Sequence, residues 1–326
     1  MAVQLGRIAP SPDVFAVVMT TGILSVAAQR HHYTRLSETL GVLATVGLVV
    51  LVLLVAVTRP AWDLRDPDVT LRLFTFVASC AVLDSRLANV HGVVLTLGVT
   101  ALVSWLLLAI LTARNMAANS WTVLRDRAHG AWELGSVGTC GMAIVATEVS
   151  RHTVARSWFM VAVPVWVIGL GIYGLMTGLI LWRAVHQRQD QDGIEPDAWI
   201  LMGGLAIATL AGDNIHALAS GWLAPTVRTV TVLTWVLATC WIPLLIFFGL
   251  RRIQRRPALL RFAGVWWAMV FPLGMYAVAT AATAAELGRP VLGTVSLVFF
   301  WIASTAWVMV AAAGLLWLRR EFVARS

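Results

Sequence analysis

Apolar runs of about 20 residues, the length that crosses the hydrocarbon core of a bilayer, recur along the chain with short polar segments between them. Ten such runs are predicted, at 14–29, 39–58, 70–89, 92–113, 130–149, 158–182, 198–219, 229–250, 262–285 and 293–317. Ser11-Pro12-Asp13 marks the start of the first. It supplies a cap residue, a proline for the first helical position and an acid for the positive end of the helix dipole. Arg7 and the small residues at 26–28 would also suit a cleavable signal, but the polar cluster of Thr20, Thr21 and Ser25 argues against that reading. The short linkers make residues 1–326 a single transmembrane domain.

Polarity is spread unevenly over these runs. The even-numbered ones carry no ionisable residue in their interiors, whereas the odd ones hold Asp84, Glu133, Glu148, Asp213, His216 and, at the end of the ninth, Glu286. The odd runs also hold Gly135-x-x-Gly138-x-x-Gly141, Gly203-Gly204 and Gly212. Glycine lets helices approach closely in a bilayer, and charges there face protein or water. The expected fold is therefore an all-α polytopic membrane protein. Its ten transmembrane helices form five helical hairpins around a central pore, odd helices inside and even helices facing lipid. Thr20, Thr21, Gly22, Gly138 and Gly212 are candidate pore-lining positions, and Glu133, Asp84 and Asp213 are candidates for pore lining or proton coupling. The structural alternative pairs Asp84 with Arg86 or Arg72.

The ninth run contains Trp267-Ala268-Met269-Val270-Phe271-Pro272-Leu273-Gly274. Proline donates no backbone hydrogen bond and crowds the carbonyl four residues back, here Ala268. In hydrocarbon that carbonyl must be served by a neighbour or a cavity. Phe271, Pro272 and Gly274 thus mark a packed or pore-lining position, or a structural kink.

Composition agrees with the membrane assignment. The chain is 59% hydrophobic and 12% charged, about half the charge of a soluble protein. Its 24 basic residues are all arginine and lie scattered between apolar runs, which argues against nucleic acid as partner. With the N-terminus inside, seventeen arginines fall on the cytoplasmic side and seven outside. The positive-inside rule then places both termini in the cytoplasm of an inner (plasma) membrane protein. Trp62, Trp121, Trp158, Trp182, Trp199, Trp222 and Trp317 fall near run ends, as an interfacial belt requires. Cys80, Cys140 and Cys240 have no metal-ligand spacing, and His216 is the one histidine inside a run. No metal or cofactor is expected, and a membrane enzyme or haem protein is disfavoured because bis-histidine ligation needs facing pairs.

Pro12-x-x-Phe15-Ala16-x-Val18-Met19-x-Thr21-Gly22-Ile23 resembles the opening of the tellurite-resistance/dicarboxylate transporter family. So do Trp199-Ile200-x-Met202-Gly203-Gly204 with Leu210-Ala211-Gly212, Trp235-x-x-Ala238-Thr239-x-Trp241-Ile242-Pro243, and Trp267-x-x-x-Phe271-Pro272-Leu273-Gly274-Met275-Tyr276. That family includes fungal malic acid permeases and plant slow anion channels. The resemblance implies ten helices around a pore, a homotrimer, and a phenylalanine of the ninth helix, here Phe271, occluding the path. It implies transport of a small anionic substrate: a C4-dicarboxylate such as malate, an inorganic mono-anion or a tellurite-type oxyanion. Acidic groups on inner helices depart from what an anion path wants, so a proton-coupled symporter or efflux carrier using Glu133 or Asp84 is the alternative.

Overall fold

The computed structural model describes residues 10–88, 90–152, 157–186, 196–255 and 266–323. Arg7, Arg156, Arg188, Arg256, Arg261 and Arg325, which enter the charge count, lie outside the described residues. The described chain is helical, with no strand: α1 Ala16–Arg30, α2 Thr34–Thr58, α3 Pro67–Arg72, α4 Phe74–Arg86, α5 His91–Ala118, α6 Trp121–Arg127, α7 Leu134–His152, α8 Ser157–His186, α9 Trp199–His216, α10 Leu223–Arg255, α11 Trp267–Leu287 and α12 Pro290–Val323. Short 3-10 turns at Gly130–Glu133 and Pro196–Ala198 lead into α7 and α9.

Helix starts follow local chemistry. Asp66 caps α3 by accepting from the Asp68 N–H at 3.0 Å, and Pro67 takes the first helical position. The third predicted run is interrupted at Leu73, between α3 and α4. The first helix begins at Ala16, after a turn in which the Val14 N–H donates to the Ser11 carbonyl.

Two kinds of long helix emerge. The segments α2, α5, α8, α10 and α12 run 25 to 34 residues. Their partners α1, α4, α7, α9 and α11 run only 13 to 21. Among the described residues six helices are long and apolar enough to cross a membrane: the five long ones and α11. At 1.5 Å per residue a 13-residue helix covers about 20 Å, short of a ~30 Å hydrocarbon core. This is why α4 falls short as a span by itself. The coarse expectation, an all-helical multi-pass membrane protein, holds; among the described residues six helices, not ten, qualify as spans by length and composition.

Each long helix packs on the short helix before it: α1 with α2, α4 with α5, α7 with α8, α9 with α10, and α11 with α12. The short helices contact one another in the closed order α1, α4, α7, α9, α11 and back to α1. Their residues are mostly buried, while the long helices expose rows of apolar side chains such as Val42, Val46, Val49 and Leu53 of α2. A large apolar surface of that kind is stable against lipid, not water.

Tryptophans of the long helices stitch neighbouring pairs together. Trp105 of α5 donates to Thr139 of α7 (3.1 Å), Trp166 of α8 to the Ala208 carbonyl of α9 (2.8 Å), Trp235 of α10 to Thr280 of α11 (3.0 Å), and Trp307 of α12 to Thr21 of α1 (2.9 Å). Each bond runs from one helical pair to the inner helix of the next, and the last closes the circle. At the remaining seam, between α1–α2 and α4, Arg86 Nε donates instead to Ser25 Oγ at 2.7 Å. Ser25 and Ser37 there exchange hydrogen bonds with each other's carbonyls.

Candidate functional site

The centre of the ring is the first place to look, and α11 shows how its wall is oriented. Tyr276 shares a 2.8 Å hydrogen bond with Thr239 of α10, Thr280 accepts from Trp235 of α10, and the Ala277 carbonyl accepts from Ser296 of α12 at 2.7 Å. These three positions define the outward side of α11. Its flanks meet the two ring neighbours. A Cβ placed at Gly203 of α9 would lie 3.0 Å from the Pro272 ring, and one placed at Gly274 would lie 3.0 Å from Ile23 of α1. Phe271 precedes Thr280 by nine residues, about 180° around a helix, and so lies on the side away from the long helices. Its side chain is 0% exposed. Val278 and Ala282 share that stripe and are buried too.

The glycines sit at helix crossings. A Cβ at Gly22 would lie 2.8 Å from Val82 of α4, and one at Gly138 would lie 2.6 Å from Phe74 of α4. One at Gly212 would collide with Thr231 of α10 and meet Trp166 of α8 at 2.9 Å. The Thr20 hydroxyl donates to its own helix at Ala16 (2.6 Å). Thr21 donates to Val17 and accepts from Trp307, so it faces α12.

The acidic candidates are separate from one another. Glu133 is fully buried at the foot of α7, and Thr177 of α8 donates to its Oε1 at 2.7 Å. Its Oε2 has no hydrogen-bond partner among the described residues and faces Gly204, beside Tyr173. Glu133 thus points between α7, α8 and α9. Asp84 is also fully buried, and neither carboxylate oxygen has a hydrogen-bond partner among the described residues. The two pairings considered for it go elsewhere: Arg72 binds Asp13 at 3.1 Å and Arg86 binds Ser25. The charge that acts on Asp84 is Glu148 of α7, itself bonded to Arg151 at 3.0 Å. Asp213 lies among the charges of Arg30, Arg151 and His216. Next to it, His216 and Arg228 approach Glu286 at 3.7 and 3.3 Å.

At the opposite end of the ring, polar groups lock the N-terminal ends of the helices. Arg127 binds Asp66 (2.8 Å) and Asp68 (3.2 Å), and Trp132 donates to Asp68. Partial burial pulls the Arg127 guanidinium down, but Asp68 and Asp66 more than offset this and hold it above its ordinary value. Arg72 donates to His129 Nε2 at 3.3 Å, so the ring proton is on Nδ1, 3.2 Å from the Arg127 carbonyl. The Asp197 carboxylate accepts from the Ala131 N–H at 3.0 Å. This network was not foreseen from the order of residues, because its members come from α3, α6 and both 3-10 turns. Among the described residues no cluster of three or more histidines, cysteines or acids is placed to hold a metal.

Comparison with known proteins bears on what such a ring does. The family model described as voltage-dependent anion channel (SLAC1) matches residues 10–315. An uncharacterized transporter of Methanocaldococcus jannaschii is 22% identical over 325 residues, covering 91% of this chain and 90% of its own. A second uncharacterized transporter of that organism is 21% identical, covering 90% and 91%. An uncharacterized membrane protein of Mycobacterium tuberculosis is 28% identical over 148 residues, 44% of this chain and 74% of its own.

Proposed function

This chain belongs to the voltage-dependent anion channel (SLAC1) family, and from that premise we propose that it passes small anions across a membrane along the axis of the five-helix ring, with Phe271 closing the path. The observation that carries this reading is the position of Phe271. It is fully buried, opposite the outward face of α11, between the Pro272–Gly203 and Gly274–Ile23 contacts. In this reading all ten long and short paired helices cross the bilayer, with both termini cytoplasmic and the protein in the inner membrane as a homotrimer. The substrate is an inorganic mono-anion, a tellurite-type oxyanion or a C4-dicarboxylate such as malate. The test is flux in proteoliposomes, with chloride and nitrate against malate and succinate. Phe271→Ala should convert a slow or silent pathway into a steady leak for the permeant anion. Flux equal to that of the parent chain would remove Phe271 from the role.

A second reading, proton-coupled carriage, is favoured by the surroundings of Asp84. A carboxylate with neither oxygen served costs several kcal/mol to bury, and ionisable groups placed so in membranes commonly relay protons. Glu133, with one oxygen served by Thr177, is the other candidate. Uptake driven by a pH gradient and lost in Asp84→Asn or Glu133→Gln would favour coupling. Uptake indifferent to the gradient would rule it out.

A further inference from the structure

Glu148 and Arg151 stand three residues apart near the end of α7, and the direction they face sets them apart from an ordinary surface ion pair. The outward side of α7 is marked by Thr139, which accepts from Trp105 of α5, and by Ser136, which donates to the Gly169 carbonyl of α8 at 3.1 Å. Gly141 marks the opposite side. A Cβ placed there would meet both ring neighbours, Ala81 of α4 at 3.1 Å and Ile207 of α9 at 3.9 Å. Glu148 follows Gly141 by seven residues, two turns along the same stripe, and so faces the axis of the ring. Its side chain is 10% exposed and accepts from Arg151 Nη1 at 3.0 Å. Arg151 Nη2 reaches on to Asn214 Oδ1 of α9 at 3.4 Å, and about a third of the Arg151 side chain is open. The charges of Arg151 and of Arg30, at the end of α1, both act on Asp213 of α9. Helices α1 and α9 are not neighbours in the ring, so Arg30 acts from the far side of its mouth. Through the Gly141–Ile207 and Gly203–Pro272 contacts, Phe271 lies roughly 15–20 Å from this level along the axis.

We propose that Arg151 is an anion-binding site at the C-terminal mouth of the ring, and that Glu148 is its built-in competitor, a tethered carboxylate holding the place of a carboxylate-bearing anion. This rests on the anion-path reading and adds where such an anion is held before it reaches Phe271. The present occupant fixes the chemistry of the ligand. A guanidinium carries five N–H donors in a planar fork that fits the two-oxygen edge of a carboxylate, and Glu148 already sits on it. A pair open to water would contribute little. Here the carboxylate is nearly withdrawn from water, on the stripe that faces the axis, and the guanidinium spans to the next ring helix. An anion moving along the axis gains Arg151 by displacing Glu148.

The test uses the full chain in detergent with phenylglyoxal, which condenses with accessible guanidinium groups, and reads the rate at each arginine by peptide mass spectrometry. Acetate, the end group of Glu148 as a free ion, is compared with chloride at matched ionic strength. Exposed Arg59, just past the end of α2, serves as the reference. Glu148→Gln should raise the Arg151 rate severalfold in chloride, and acetate should return it most of the way to the parent rate with Arg59 unchanged. Glu148→Asp, whose shorter carboxylate reaches Arg151 poorly, should give a smaller rise with the same protection, which guards against a fold lost to the first change. An Arg151 that reacts equally fast in the parent and both variants would overturn the proposal, because Glu148 would not occupy it. So would equal Arg151 rates in acetate and chloride, the result for a salt bridge that stands in for no ligand. The readout needs no flux. Acetate protection in a chain whose Phe271→Ala form does not leak would keep this site and sink the gate, whereas a leak without protection would sink this site alone.

Discussion

Four seams between helical pairs are closed by a tryptophan N–H, and one, between α1–α2 and α4, by the guanidinium of Arg86. The difference is instructive because the ring contacts beneath are alike. At the odd seam Gly22 packs on Val82, as Gly203 packs on Pro272 and Gly274 on Ile23. A neutral indole donor suits hydrocarbon, since it has one proton to place and a large apolar body to bury. A guanidinium has five donors and needs a polar setting. The seam that uses it is also the one whose inner helix, α4, carries a buried acid without a hydrogen-bond partner, Asp84. Four seams thus share one kind of fastening, and the seam without it is closed two residues from the candidate proton site.

The contacts that all seams share should matter most. Gly138→Leu would drive a side chain into Phe74, whose nearest atom is 2.6 Å from the first added carbon. Overpacking of this kind costs about 1–3 kcal/mol or more, and should appear as a large drop in the unfolding midpoint in detergent. By contrast Gly174→Ala on α8, with nothing within 4 Å of the new carbon, should leave the midpoint unchanged or slightly raised. Arg86→Met comes next. It removes a charge-assisted bond to Ser25 worth about 1.5 kcal/mol, the low end of such bonds for a half-buried donor. In a Ser25→Ala background the same change should cost distinctly less, and equal losses in both backgrounds would show that the bond does not hold this seam. Trp307→Phe should cost about 0.6–1 kcal/mol, the usual yield of a neutral hydrogen bond between membrane helices. A loss equal to that of Arg86→Met would erase the distinction between the two fastenings.

Much of this was legible in the residues. The placement of ionisable groups on alternate runs separates the buried helices from the exposed ones, because burial in a membrane protein is revealed by cost rather than by hydrophobicity. Mean apolarity alone separates them poorly. The helix α11 qualifies as a span just as α2 does, yet 72% of its most apolar window is buried against 22% for α2. The tryptophan fastenings were not legible: Trp105, Trp166, Trp235 and Trp307 sit well inside their helices, and nothing local to them names a partner in the next pair. The suggested pair of Asp84 with Arg86 fails for a geometric reason that was available from the start. Residues two apart on a helix do not face each other, and Arg86 turns to α1 instead. Glu133 stands in the 3-10 turn that leads into a short inner helix, and its side chain turns outward to Thr177. Periodicity could not have fixed that direction, because Glu133 belongs to the 3-10 turn before α7.

The seam between α12 and α1 offers the finest test, since a histidine fastens it beside the tryptophan. His31, just past the end of α1, is 2.8 Å from Ser296 Oγ through Nε2, and its ring lies 5.8 Å from that of Phe300. Ser296 gives its only proton to the Ala277 carbonyl, so it accepts from His31 and the imidazole carries its hydrogen on Nε2. Protonation must then occur at Nδ1, in a half-buried setting. Burial, and then the nearby charge of His32, push this histidine below its ordinary value of 6.5. A group that binds its proton less readily folded than unfolded contributes stability above its unfolded value and loses it as the pH falls. The unfolding midpoint should therefore hold steady above about pH 6.5 and decline below it. His31→Gln, which keeps a donor toward Ser296 but cannot titrate, should flatten part of that decline. If His31→Gln leaves the slope intact, the pH sensitivity of the fold lies elsewhere than this seam.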